Sequence, residues 1–132
     1  NFNEHNTQYF KYNNELLGDF YKPIREIFPE FKDDVGISLF VQLPGQMIAS
    51  HADTFSAYMR RTGRYPDFNK MARRIVFVND WDYGHFYHYG SQIFNNWKAG
   101  DCWNVQKNVY HGSANSGCNP KITMIWSGEL DE

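Results

Sequence analysis

Long apolar runs are absent from this 132-residue chain, and the longest, Val35 to Leu43, falls well short of the roughly 20 residues that cross a bilayer as a helix. No membrane partner is expected. The first residues, Asn1, Phe2, Asn3, Glu4 and His5, show neither a basic n-region nor an apolar h-region, so a cytoplasmic location is the expectation. Charge of one sign is not in excess either. Thirteen Lys and Arg stand against fifteen Asp and Glu, giving a net charge of -2 and a pI near 6.2. Such a balance offers no global field for a polyanion, and no nucleic-acid partner is expected. Cysteine is scarce. Cys102 and Cys118 lack zinc-ribbon spacing and are too few for a disulfide framework, so free thiols are expected, with a single bridge as the alternative. Internal repeats and low-complexity tracts are missing as well.

What the chain does have is aromatic mass: eleven Phe, nine Tyr and four Trp, 18% of all residues. Aromatic side chains build stiff β-rich cores and also line pockets, and composition alone leaves both readings open. With 42% hydrophobic and 21% charged residues, the length suits one compact domain spanning 1–132.

Residues 1–34 read as an N-terminal arm and helices. Positions 1–12 are polar with scattered aromatics, an arm or an edge strand. From Asn14 onward Leu16, Leu17, Phe20, Tyr21, Ile24, Ile27, Phe28 and Phe31 recur at three- and four-residue steps, the period of an amphipathic helix. Pro23 and Pro29 predict that it is broken into two short pieces. After Asp34 the texture becomes short β-branched and aromatic runs separated by turn residues. Eight runs are predicted within 35–128: Val35 to Gln42, Gln46 to His51, Arg73 to Asn79, His85 to Tyr89, Gln92 to Asn96, Cys102 to Gln106, Val109 to Ser113 and Lys121 to Ser127. The one long connection, 54–72, carries Arg60, Arg61, Arg64 and Lys70. Its length predicts a lid or binding loop, and its charge either steers an acidic substrate or is simply solvated.

Chemistry concentrates at His51-Ala52-Asp53, which closes the second run, and at His111 in the seventh. Imidazole and carboxylate suit a borderline divalent metal, and two His with one carboxylate hold one face of an octahedron while leaving positions open, an arrangement that fits non-haem Fe(II). Residues i and i+2 at a strand end project to one side, so His51 and Asp53 can reach one ion. Lys121 follows His111 by ten residues and Thr123 lies two further on. A cation beside a hydroxyl is what a buried carboxylate requires.

Taken in order, His51, Asp53, His111 and Lys121 resemble the motif of the Fe(II)- and 2-oxoglutarate-dependent dioxygenases. Around them, Pro44-Gly45, the Arg74 to Asn79 stretch, Trp97 to Asp101 and His111 to Asn115 are similar in wording too. The resemblance covers about residues 35–128. The wording is nearest the aspartyl/asparaginyl β-hydroxylase-like branch, whereas a lysine at this place is what prolyl 4-hydroxylases use. The resemblance implies a mainly β fold, a double-stranded β-helix (jelly-roll, cupin-like) preceded by short N-terminal helices. It implies Fe(II) on His51, Asp53 and His111, 2-oxoglutarate as cosubstrate with its far carboxylate on Lys121 and Thr123, and O2 as oxidant. The expected reaction is hydroxylation of a C–H bond, in an amino-acid or peptide side chain, with release of succinate and CO2. Retention of Asp53 favours hydroxylation over halogenation.

Other residues carry weaker expectations. Of Arg73 and Arg74, Arg74 is the preferred candidate to face 2-oxoglutarate or a substrate carboxylate, with solvated edge charge as the alternative. His85 and His88 read as core or rim residues, and His5 has no assigned role. Trp97, Trp103 and Trp126 read as core or barrel wall, with Trp126 also a candidate to border the cosubstrate. Asn115 is either a polar contact at the barrel mouth or a loop cap. Two other functional classes compete: a cupin-like module that binds a small ligand or a metal without oxygenase activity, and a zinc hydrolase using the same two His and Asp. The hydrolase leaves Lys121 without a role.

Overall fold

The computed structural model describes residues 8–12, 18–32 and 35–131. The first element among the described residues is β1 (Gln8–Tyr12), which pairs antiparallel with β2 (Gly36–Gln42), so positions 8–12 of the ambiguous N-terminal segment form an edge strand. Between them a 3-10 turn, Gly18–Phe20, runs straight into α1 (Tyr21–Arg25). The expected break at Pro23 does not occur. Pro23 falls in the first turn of α1, where its missing N–H has no intrahelical acceptor to lose. Among the described residues this segment forms one short α-helix, and the earlier part of the predicted helix, with Leu16 and Leu17, lies outside the described residues. Ile24 and Phe28 from this segment pack on a cluster of Phe31, Val35, Ile37, Ala72 and Trp126.

The remaining strands are β3 (Met47–His51), β4 (Met71–Phe77), β5 (His85–Tyr89), β6 (Gln92–Phe94), β7 (Cys102–Val105), β8 (His111–Asn115) and β9 (Lys121–Glu129). Each of the eight predicted runs yields one of the strands β2 to β9. The third and the seventh are each displaced by two residues; in the seventh, Val109 belongs to a turn closed by its N–H on the Gln106 carbonyl, so His111 opens β8 rather than lying inside it. The strands form two antiparallel sheets, ordered β1-β2-β9-β4-β7 and β3-β8-β5-β6. From β2 to β9 the chain passes back and forth between them, the winding of a jelly roll or double-stranded β-helix.

Alternation along β4 and β9 sorts the residues of the larger sheet. Ile75, Phe77 and Ile125 face the other sheet, where Phe77 meets Tyr87 of β5 edge-on at 6.1 Å and stacks on Trp97 at 4.2 Å. Ala72 and Trp126 face the opposite way, under the N-terminal segment, with Trp126 4.9 Å from the Phe28 ring. Along β4 and β9 both faces of this sheet thus carry buried apolar side chains.

The 54–72 connection is not an open loop. It folds into α2 (Ser56–Thr62) and a 3-10 turn, Phe68–Lys70, before β4 begins at Met71. Phe55, Tyr58 and Met71 bury their side chains together beneath it. The Lys107 ammonium, from the β7–β8 connection, donates to the carbonyls of Phe68, Asn69 and Met71 at 2.5, 2.8 and 2.8 Å and sits 5.1 Å above the Phe68 ring. Cys102 and Cys118 are free and exposed. Among the described residues, no helix is long and apolar enough to cross a membrane.

Candidate metal centre

The end of β3 and the start of β8 bring His51 and His111 directly opposite each other across the small sheet, with ring centroids 4.5 Å apart. Each ring is held in the same way. Nδ1 of His51 bonds the Ala49 carbonyl at 2.8 Å, and Nδ1 of His111 bonds the Val109 carbonyl at 2.9 Å. A carbonyl only accepts, so Nδ1 carries the proton in both neutral rings, and Nε2 is the nitrogen whose lone pair can bind a metal. Asp53, two residues past His51, turns its carboxylate between them. Its Oδ1 lies 3.7 Å from His51 Nε2 and 3.6 Å from His111 Nε2.

One ligand atom from each of the three residues falls within 4.8 Å of the others. Donors about 2.1 Å from a common ion stand about 3 to 3.5 Å apart, so small adjustments close the set on a metal. The second carboxylate oxygen, Asp53 Oδ2, is buried without a hydrogen-bond partner, an arrangement that costs free energy unless a cation satisfies it. The protonation states suit the same purpose. Burial pushes the His51 imidazole below its ordinary pKa, outweighing the opposing bond to Ala49. Burial alone would raise Asp53, but the adjoining His111 ring and the charge of Arg73 hold its carboxyl below the usual range. At neutral pH the set presents an ionised carboxylate and a neutral His51 ring, as divalent-metal binding requires.

Arg73 is the neighbour that sequence reasoning undervalued. Its Nη1 donates to Asp53 Oδ1, its Nε donates to Ser127 Oγ at 3.0 Å, and its guanidinium carbon lies 5.4 Å from the centre of the Phe55 ring. The expectation for Arg74 is corrected. Arg74 pairs with Trp126 across the sheet, on the outer face, where it bonds Asn104 Oδ1 at 2.7 Å, pairs with Glu30 at 3.3 Å and covers the Phe31 ring. It faces away from the triad because successive residues of a strand point to opposite sides.

Lys121 opens β9 and is only 3% exposed. Its ammonium lies 5.7 Å from the Trp97 ring centre and 5.9 Å from that of Tyr87, and among the described residues it has no hydrogen-bond or ion-pair partner. Burial brings its pKa down to about 7. Tyr87 links this lysine to the triad, since its ring also lies nearly parallel to His111 with centroids 6.3 Å apart. The same burial raises the Tyr87 phenol above its ordinary value and keeps it neutral. Thr123, two residues on, is buried on the same side of β9. Across the sheet from Lys121 is Gln42, fully buried, whose Nε2 donates to Ser113 Oγ at 3.0 Å. Ser113 lies two residues beyond His111 on β8. The inner wall from His111 to Lys121 therefore carries Tyr87, Ser113 and Gln42, none of which the sequence singled out.

The remaining candidates divide plainly. Trp97 and Trp103 belong to the inner core, as expected. Trp126 does not border the inner wall but packs outside it. Asn115 is a loop cap: its Nδ2 donates to the Gln42 and Asn119 carbonyls and its Oδ1 accepts from Gly117 N–H. His85 is a buried core residue bonded through Nε2 to the Asn119 carbonyl, and His88 is half-buried beside Gly112. Arg60 and Arg64 are exposed on the insertion.

No protein-family profile and no curated protein matches the chain. Solved structures do. A protein with a double-stranded β-helix domain from Klebsiella pneumoniae is 22% identical, with a TM-score of 0.51 over 76% of this chain and 72% of its own. A predicted oxalate decarboxylase from Thermotoga maritima is 10% identical, with a TM-score of 0.56 over 94% and 81%. An RmlC-like cupin from Shewanella frigidimarina is 15% identical, with a TM-score of 0.50 over 77% and 72%. The fold is thus the double-stranded β-helix of cupins, carrying a His-Asp-His set able to hold a metal.

Proposed function

We propose that the protein is a non-haem Fe(II)- and 2-oxoglutarate-dependent oxygenase that hydroxylates a C–H bond of an amino-acid or peptide side chain. The observation that carries this reading is Lys121, a buried ammonium with no anion beside it among the described residues, on the inner wall that begins at the triad. Burying an unpaired charge is costly, and the cost is recovered when a ligand brings the missing carboxylate. Charge balance supports the same conclusion. With Lys121 protonated, a divalent ion beside Asp53, Arg73 and Lys121 leaves a net charge of about +3, and a dianion such as 2-oxoglutarate reduces it to about +1.

In this reading His51, Asp53 and His111 hold the metal, which when bound supplies the redox chemistry toward O2 and the 2-oxo acid. The protein's own residues do the rest. The Ala49 and Val109 carbonyls keep both imidazoles in the metal-binding tautomer. Lys121 takes the far carboxylate, with Thr123 offering a hydroxyl on the same side. Tyr87 and Trp97 exclude water around that pair and lower the local dielectric, which strengthens it.

A second reading has support of its own: the solved structures of similar fold are cupins of varied description, so a module that binds a metal or small ligand without oxygenase activity accounts for the triad equally well. Lys121 separates the two. Succinate formed from 2-oxoglutarate with Fe(II), O2 and ascorbate, lost in Lys121→Ala with metal binding intact, supports the oxygenase. Metal binding with no succinate at any 2-oxoglutarate concentration leaves the cupin module.

A further inference from the structure

Arg73 enters the reading above only through its charge, yet among the described residues it is the cation in direct contact with the centre. It donates to Asp53 Oδ1, the same oxygen that lies 3.7 and 3.6 Å from the two imidazole nitrogens. An incoming metal and the guanidinium must therefore share the charge of one carboxylate, whose other oxygen, Oδ2, has no hydrogen-bond partner. The guanidinium is also not free to withdraw. Ser127 Oγ holds its Nε at 3.0 Å, and the Phe55 ring lies across it. Phe55 is 3% exposed and has φ 56°, in the left-handed region that a bulky aromatic residue rarely adopts. Such a conformation persists only where the surroundings over-determine it, and here its ring is fixed between Arg73 and Phe68, 5.9 Å away. Ser127 and Phe55 thus keep one cation on a metal-facing carboxylate.

We infer that Arg73 is a positioning residue of the metal centre: it holds Asp53 in place and, by sharing its charge, keeps the affinity for a bare divalent ion low. This rests on the assignment of His51, Asp53 and His111 as the metal ligands. A cation bonded to the same carboxylate repels a divalent ion and draws off part of the negative charge that would hold it. Firm loading then requires an anionic partner to offset the excess positive charge.

The test uses Co(II) as the probe, in the full chain without 2-oxoglutarate, with affinity read by calorimetry and by the visible absorption of the bound ion. Arg73→Gln is expected to bind Co(II) about 10-fold more tightly than the wild type. Arg73→Lys, which keeps the charge, is expected to stay within about 3-fold of it. Ser127→Ala, which frees only the Nε anchor, is expected to fall between them and guards against misfolding of the glutamine variant. Unchanged or weaker Co(II) binding in both Arg73→Gln and Ser127→Ala overturns the inference while leaving the metal site standing, provided that His111→Ala abolishes binding. Absence of Co(II) binding by the wild type overturns both.

Discussion

Replacing Lys121 by Met is expected to make the protein more stable and to disable its anion site. The lysine stands at about 7 in place of 10.5, a shift caused by burial. At about 1.4 kcal/mol per unit, carrying the ammonium in the folded state below neutral pH costs roughly 5 kcal/mol. Met preserves the straight chain and its sulfur can rest on Trp97 and Tyr87, but the cation–π attraction of about 0.5 to 2 kcal/mol is lost. The net gain is about 3 to 4 kcal/mol, which for a chain of this length raises Tm by on the order of 10 °C. The pH dependence gives the mechanism away. Below the folded-state value both the folded and unfolded wild type hold the proton, and the penalty is full. As pH rises from about 7 to 10.5 the folded protein releases its proton before the unfolded chain does, and the penalty disappears. Urea unfolding of both proteins at about pH 6 and about pH 10 should show a gap that is wide at the first and nearly closed at the second. A Met variant that is no more stable at the lower pH, or a gap that does not narrow, refutes the reasoning.

His51→Ala and His111→Ala should each abolish metal-dependent thermal stabilisation, whereas His88→Ala, on a ring outside the triad, should retain it; scanning with and without Co(II) distinguishes them. Acidification should destabilise the protein in two stages. His51, lowered in the fold, gives up stability as pH falls below 6.5, since the unfolded chain takes the proton first; Asp53, also lowered, gives up more below 3.8 as pH falls toward its folded value, and a pH series of unfolding midpoints reads both. Lys107→Met should remove three charge-assisted hydrogen bonds and loosen the insertion, so that amide exchange over 56–70 rises by about 10-fold or more while β4 stays protected. Arg74→Ala should lower stability by about 1 kcal/mol through its lost bonds to Asn104 and Glu30 and leave 2-oxoglutarate affinity unchanged.

The jelly-roll strands were legible because Gly, Pro, Asn and Asp punctuate the chain at each turn, and His51, Asp53 and His111 were legible because metal-ligating residue types at a strand end are few. What could not be read was which side of a strand each residue takes. In β4, Ala72 and Val76 are apolar because the N-terminal segment covers them, and Ile75 and Phe77 are apolar because they fill the barrel. With both faces buried, the alternation that would have separated Arg73 from Arg74 is erased. Trp126 is a core residue as expected, and only its candidacy to border the cosubstrate fails, for the same reason: it lies one residue from the inward Ser127 and Ile125. The helix in the insertion escaped notice because its buried anchors, Phe55 and Tyr58, are only three residues apart and one of them lies outside α2. Gln42 and Ser113 are met only in three dimensions, since their contact joins positions on two different sheets.

The central claim is that one metal at His51, Asp53 and His111 and one dianion on Lys121 occupy the same barrel together. A 2-oxo acid chelating Fe(II) produces a charge-transfer absorption in the visible that neither component has alone, and anaerobic titration of the Fe(II)-loaded protein with 2-oxoglutarate measures it directly. The account predicts a saturable band in the wild type, no band in His111→Ala, and in Lys121→Ala a band that requires about 10- to 100-fold more 2-oxoglutarate, as the loss of a charged hydrogen bond implies. A wild-type protein that binds Fe(II) yet develops no band, or a Lys121→Ala titration that superimposes on the wild type, contradicts it.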